Sequence, residues 1–88
     1  MRFRSHAFPE FWVCYEALPE AIQDLADQQF ERFEEDPNHP SLHFKQTGRY
    51  WSARINRNYR VLALREGADL YWFWIGPHPE YERLIKQR

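Results

Sequence analysis

The clearest periodicity in the chain is helical. Over residues 19–35, Ala21, Ile22, Leu25, Ala26, Phe30 and Phe33 recur at 3.6 residues per turn, which gathers them on one side. Glu20 and Asp24 stand near the positive end of that helix. Asp36-Pro37 stops it, and Pro40 is expected to keep the next segment extended. Upstream, Pro9 suits a first helical position, and Phe8, Trp12 and Tyr15 follow at helical spacing. A shorter helix is therefore predicted over 9–17. Leu18-Pro19 separates the two helices without a real linker, which predicts an antiparallel helical hairpin. Residues 2–5 read as a short edge strand.

From Leu42 onward the period shortens to two. Residues 50–55 alternate, with Trp51, Ala53 and Ile55 on one face and Tyr50, Ser52 and Arg54 on the other. Strands over 59–65 and 70–76 follow, separated by the turn-like Glu66-Gly67-Ala68-Asp69. Pro79 opens a last helical turn or two, with Tyr81, Leu84 and Ile85 on one face. There is no internal repeat or domain boundary, so residues 1–88 read as one domain. The predicted class is α+β: a small antiparallel β-sheet, an N-terminal helical hairpin packed on one face, and a short C-terminal helix.

Loop length sets which residues face one another. A three-residue loop, Asn56-Arg57-Asn58, pairs Ile55 with Tyr59, Ala53 with Val61 and Trp51 with Ala63, all on one buried face. The other face then sets Arg54 opposite Arg60 and Ser52 opposite Leu62. A two-residue loop mixes apolar and charged residues on both faces. Two like charges directly opposite cost on the order of 0.2–1 kcal/mol. A bound phosphate or carboxylate reverses that sign, because arginine grips both bidentately. The competing reading is that both guanidiniums turn into water or pair with carboxylates. A four-residue loop at 66–69 sets Ile75 beside Arg60, so that Gly76-Pro77-His78 begins at the arginine end of the sheet.

Charge sharpens this picture. The net charge of −1 conceals a dipolar chain. Residues 1–42 carry three basic and nine acidic side chains, and residues 43–88 carry nine basic and four acidic ones. The basic half can bind an anion although the total is near zero; an ordinary sheet beside a solvated acidic helix has the same charges. The chain has 16 aromatic rings, many for its length. The aromatic run Tyr71 to Trp74 reads either as a central strand buried on both faces or as an aromatic face for a partner peptide.

Histidine moves a proton near neutral pH, arginine stabilises a pentavalent phosphate, and tyrosine stacks on a base or donates a hydrogen bond. Arg54, Arg60, His78 and Tyr81 thus fit phosphodiester chemistry. Tyr81 equally suits a helix anchor beside Leu84 and Ile85, and His78 a helix cap. His39 and His43 are separated by Pro40 and lack a ligand-spaced cysteine or carboxylate, so no metal site is expected. The single cysteine, Cys14, excludes an internal disulfide and reads as a core residue of a cytosolic chain. The polar start Met1 to His6 does not resemble a signal peptide, and no apolar run reaches membrane-spanning length.

The order of these pieces carries a resemblance. Leu18-Pro19-Glu20, a helix ending at Asp36-Pro37, then Pro40-Ser41-Leu42-His43-Phe44-Lys45, WSARINRNYRVLAL and WFWIGPHPEYERL resemble the RelE/ParE toxin superfamily over nearly the whole chain. That resemblance implies the toxin of a bacterial type II toxin–antitoxin pair, cytoplasmic, with a cognate antitoxin that wraps it. RelE-like members cut mRNA on the ribosome using the RNA 2′-hydroxyl and basic side chains, with no cofactor. ParE-like members inhibit DNA gyrase and are not nucleases. A third alternative is a non-toxic relative that only binds a partner. By position, Arg60 in Tyr-Arg-Val matches the arginine that RelE-like nucleases place on the scissile phosphate, and Arg54 matches a basic position on the preceding strand. His78 and Tyr81 lie where such nucleases keep C-terminal catalytic groups. Ser52 stands where RelE itself has a lysine, and Lys45 and Arg49 are expected to supply replacement charge toward RNA.

Overall fold

A computed structural model describes residues 2–86. The elements run β1 (Arg4–Ala7), α1 (Pro9–Glu16), α2 (Glu20–Glu35), β2 (Lys45–Thr47), β3 (Tyr50–Asn56), β4 (Tyr59–Glu66), β5 (Asp69–Pro77) and α3 (His78–Lys86). They build one five-stranded sheet in the order β1-β5-β4-β3-β2. β2 to β5 form an antiparallel meander, and β1 pairs with β5 in parallel. The sheet is therefore mostly, not wholly, antiparallel. The edge strand begins at Arg4, two residues later than its sequence predicts.

The helical hairpin covers one face. Phe11 of α1, Ala26 and Phe33 of α2, and Val61, Trp72 and Ile75 of the sheet share one buried core. Phe11 meets Phe30 edge-on, and Phe30 meets Trp72 the same way, which locks α1, α2 and β5 together. Tyr15 donates its hydroxyl to Asp27 at 2.8 Å, tying α1 to α2. That hydrogen bond and the carboxylate's charge push the phenol up to about 12. The apolar stripe of α2 holds, except that Ala21 is exposed and Gln29 is buried. Gln29 Nε2 donates to the backbone carbonyl of Arg54 at 2.8 Å and so fixes α2 on β3.

Pro40 does not keep its segment extended. Residues Pro40–Leu42 form a single 3₁₀ turn, His43 follows in the left-handed region (φ 45°), and β structure starts only at Lys45. Leu42 is driven inward by this turn and is 1% exposed.

α3 packs on the opposite face of the sheet. Its Tyr81 is buried over Ser52, whose neighbour Leu62 is fully enclosed. The α3 face is covered only in part, and Leu64 on the same strand remains exposed. The aromatic run of β5 fits neither of its two sequence readings whole. β5 is an inner strand, yet only Trp72 of the four aromatics is buried; Tyr71, Phe73 and Trp74 are half-buried. Tyr71 stacks on His6, Phe73 leans on Tyr50, and the Trp74 indole lies over Gly76.

Candidate phosphate site

The β3–β4 register sets Arg54 directly opposite Arg60, with Ser52 opposite Leu62, Ala53 opposite Val61 and Trp51 opposite Ala63. The turn reaches this pairing by another route. Asn56, not Ile55, pairs with Tyr59, and the strand bulges between Arg54 and Asn56. A tight turn at Arg57-Asn58 plus one bulged residue spans the same length as the expected three-residue loop. The Asn56 side chain accepts the Asn58 N–H at 2.8 Å and stabilises that turn.

The next hairpin also departs by one residue. Arg65 pairs with Leu70 as the four-residue loop predicts, but β5 bulges at Phe73. Beyond the bulge Gly76, not Ile75, stands opposite Arg60. The glycine is required there by space: a Cβ at position 76 meets Trp74 Cζ2 at 2.5 Å. The shift carries Pro77 to Tyr59 and starts α3 at His78, one residue before Pro79. The His78 N–H donates to the Asn58 carbonyl at 2.8 Å, so the end of α3 is fastened to the β3–β4 turn.

These pieces close a small cleft of about 90 Å³, lined by His43, Lys45, Ser52, Ala53, Arg54, Arg60, His78 and Tyr81. Five cations or potential cations, His43, Lys45, Arg54, Arg60 and His78, thus meet at one end of the sheet. Lys45 enters because β2 pairs it with Ser52, on the same face as Arg54. Arg49 does not enter: it sits in the β2–β3 turn with its guanidinium 5.6 Å from the Tyr50 ring centre.

Arg60 is held firmly. Its Nη1 donates to the carbonyls of Asn56 (2.6 Å) and Tyr59 (3.0 Å), and the guanidinium lies 5.9 Å from the Tyr81 ring centre. Partial burial, and then the charge of Arg54, hold Arg60 below its ordinary pKa; the nearby Tyr81 opposes them. A dianion or diester seated between the arginines relieves that repulsion. Among the described residues Arg54 has no side-chain partner, so the alternative in which it pairs with a carboxylate of the acidic half does not occur there.

Tyr81 is 6% exposed, and its hydroxyl donates to Ser52 Oγ at 3.3 Å. Its ring centre is 5.5 Å from that of His78. Tyr81 therefore anchors α3, as one of its two sequence readings holds, while its ring walls the cleft under Arg60. His78 Nδ1 lies 3.6 Å from Glu82 one turn along α3. Three lining residues, His43, Ser52 and Ala53, are not among the sequence-predicted site residues. The described residues contain no group of three His, Cys, Asp or Glu side chains placed to hold a metal. Larger grooves of about 460 and 390 Å³ lie along α1–β1 and the end of α2. Both are lined by carboxylates, Glu34 in the first and Glu34, Glu35 and Asp36 in the second, which disfavour an anion. No described helix is long and apolar enough to cross a membrane.

A five-stranded, mostly antiparallel sheet with a helical hairpin on one face is the fold of RelE-like toxins. Residues 20–83 match the ParE-like toxin domain, and the chain belongs to that family, within the RelE/ParE superfamily of toxin–antitoxin toxins. Curated protein sequences give no significant match. Among solved structures, the fold is similar to the RelB–RelE antitoxin–toxin complex of Methanococcus jannaschii (TM-score 0.69, 13% identity, 90% of this chain and 96% of that one). It is similar also to a mutant of Escherichia coli RelE in the free state (TM-score 0.66, 9% identity, 93% and 90%). A third is the YoeB/ParE toxin of Agrobacterium tumefaciens (TM-score 0.63, 17% identity, 89% and 99%).

Proposed function

We propose that this chain is the toxin of a type II pair and acts as a RelE-like, ribosome-dependent mRNA endonuclease, held in check by a cognate antitoxin. The observation that carries the reading is the Arg54–Arg60 pair, set face to face in a cleft that also holds His78. Keeping two guanidiniums opposed is unfavourable without an anion and favourable with one. In this reading the 2′-hydroxyl of the substrate is the nucleophile. Its oxygen bonds to phosphorus, the P–O5′ bond breaks, and a 2′,3′-cyclic phosphate and a 5′-hydroxyl result. Arg54 and Arg60 neutralise the charge that builds on the non-bridging oxygens, and His78 carries a proton. Lys45 adds charge at the cleft mouth. Tyr81 holds Arg60 and α3 in place. Antitoxin binding to structural relatives supports an antitoxin here.

The test is primer extension on cellular mRNA after brief induction, with Arg60→Ala alongside. Discrete cuts within translated frames, reduced on the order of 10²-fold or more in the variant, are expected. Cuts persisting at wild-type rate remove Arg60 from the mechanism.

The ParE-like character of the matched domain favours a second reading, a non-enzymatic toxin that inhibits DNA gyrase. In that case mRNA stays intact, growth stops, and supercoiling by gyrase falls when purified protein is added. Intact mRNA with normal growth identifies a non-toxic relative.

A further inference from the structure

Transesterification by a 2′-hydroxyl moves two protons, one off the nucleophile and one onto the leaving oxygen. His78 can serve only one of these at a time. The cleft lining points to where a second carrier stands. β2 pairs Lys45 with Ser52, and His43, two residues before that pair in a left-handed turn, lines the same cleft as Arg54. Arg54 faces Arg60, and Arg60 faces Gly76, two residues before His78. His43 precedes β2 and His78 follows β5, on either side of the β3–β4 arginine pair, and both line one small cleft. The intervening Phe44 packs on the helix side, against Phe33 and Trp51, while His43 and Lys45 both line the cleft.

We propose that His43 is the second proton-carrying group of this cleft, making with His78 a two-histidine phosphate site astride Arg54 and Arg60. The proposal rests on the phosphodiester reading above. One imidazole takes the 2′-hydroxyl proton as the new O–P bond forms. The other gives its proton to O5′ as the P–O5′ bond breaks, so the protein ends with the same number of protons it began with. His78 suits the donor role: its Nδ1 faces Glu82 at 3.6 Å, which leaves Nε2 for the cleft. His43 has no hydrogen-bond or ion-pair partner among the described residues, so both its ring nitrogens are available. The charged and titratable groups around the pair are Lys45, Arg54, Arg60, Tyr81 and Glu82.

The left-handed backbone at residue 43 makes asparagine the suitable substitution, because asparagine tolerates that conformation. The purified full chain, His43→Asn and His78→Asn are titrated with inorganic phosphate while the imidazole proton resonances are followed by NMR. Chloride at equal ionic strength is the control. Both imidazoles of the wild type are expected to move toward the protonated position with one common saturation curve. Each variant keeps the response of the remaining ring. In parallel, ribosome-dependent cleavage by His43→Asn is expected to fall about 10²–10⁴-fold and to lose one limb of its pH profile. Phosphate moving His78 but not His43 overturns the proposal, as does phosphate moving neither. Wild-type cleavage with His43→Asn unchanged in rate and pH profile overturns it as well. If the wild type cuts no RNA while both rings respond to phosphate, the nuclease reading fails and the two-histidine phosphate site stands.

Discussion

The hydroxyl of Tyr81 on α3 donates to Ser52 Oγ on β3 at 3.3 Å, two strands away from the β5 end that launches the helix. Ser52 is 2% exposed, and among the described residues its side chain has no other partner. Tyr81→Phe keeps the ring beneath Arg60 and strands that serine hydroxyl. It should lower unfolding stability by about 1 kcal/mol in urea denaturation, with a modest effect on activity. Tyr81→Ala also removes the buried ring, at a cost of about 3–5 kcal/mol, and should loosen Arg60. Equal losses for the two variants would show that the ring adds nothing.

The opposed arginines predict a conflict between stability and function. Arg54→Ala removes like-charge repulsion across β3–β4 and should raise the unfolding free energy measured in urea slightly, by about 0.2–1 kcal/mol. Phosphate binding and any cleavage should fall in the same variant. A stability loss in Arg54→Ala would mean that the guanidinium makes favourable contacts that outweigh the repulsion. Arg60→Ala is a poorer probe of this point, because it also deletes two hydrogen bonds to backbone carbonyls.

Gly76 is tested by its smallest enlargement. A Cβ there overlaps the Trp74 indole, a rigid ring that must move or push β5 away from Arg60. Gly76→Ala should cost about 1–3 kcal/mol and shift tryptophan fluorescence. Trp74→Leu in the same chain should recover part of that loss, a coupling visible in a double-mutant cycle. Additive losses would place the clash elsewhere.

At the far edge of the sheet, Asp69 accepts two hydrogen bonds from Arg4 (2.8 and 3.0 Å) and contacts His6 Nε2 at 3.0 Å. The Arg4 hydrogen bond, then that of His6, hold its carboxyl well below the usual carboxylate range. A depressed folded-state value contributes stability above the unfolded value, and that contribution disappears as pH falls through the folded one. Asp69→Asn should therefore be less stable than wild type at neutral pH. The gap should close progressively once pH drops below about 4. Urea midpoints at pH 7 and in strong acid measure it; a gap that does not depend on pH would exclude the ion pair as its source.

Much of this site is written in the alternation of β3 and β4. Placing Trp51, Ala53 and Val61 on the buried face leaves Arg54 and Arg60 no other arrangement than opposite one another. The bulges at Ile55 and Phe73 are invisible to such reasoning, because one inserted residue can be traded against a shorter turn without disturbing burial. The parallel pairing of β1 is illegible for a different reason. All four of its residues are exposed, so no hydrophobic period marks them. His43 was missed because its position depends on a 3₁₀ turn and one left-handed residue, neither of which has a strong local signal in Pro-Ser-Leu-His. The burial of Gln29 depends on a carbonyl 25 residues away, which no local pattern reports.

The pairing of β1 with β5 also orders events in time. Arg4 and Asp69 are 65 positions apart, whereas the other strand pairs join neighbours in the chain. Closing so long a loop costs entropy before any contact repays it. The β2–β5 meander and α3 can assemble first, and the leading strand is then stitched on last. A newly made copy would hold its cationic cleft before its first strand is fastened. Changes at Arg4 or His6 should accordingly speed unfolding and leave the folding rate almost untouched.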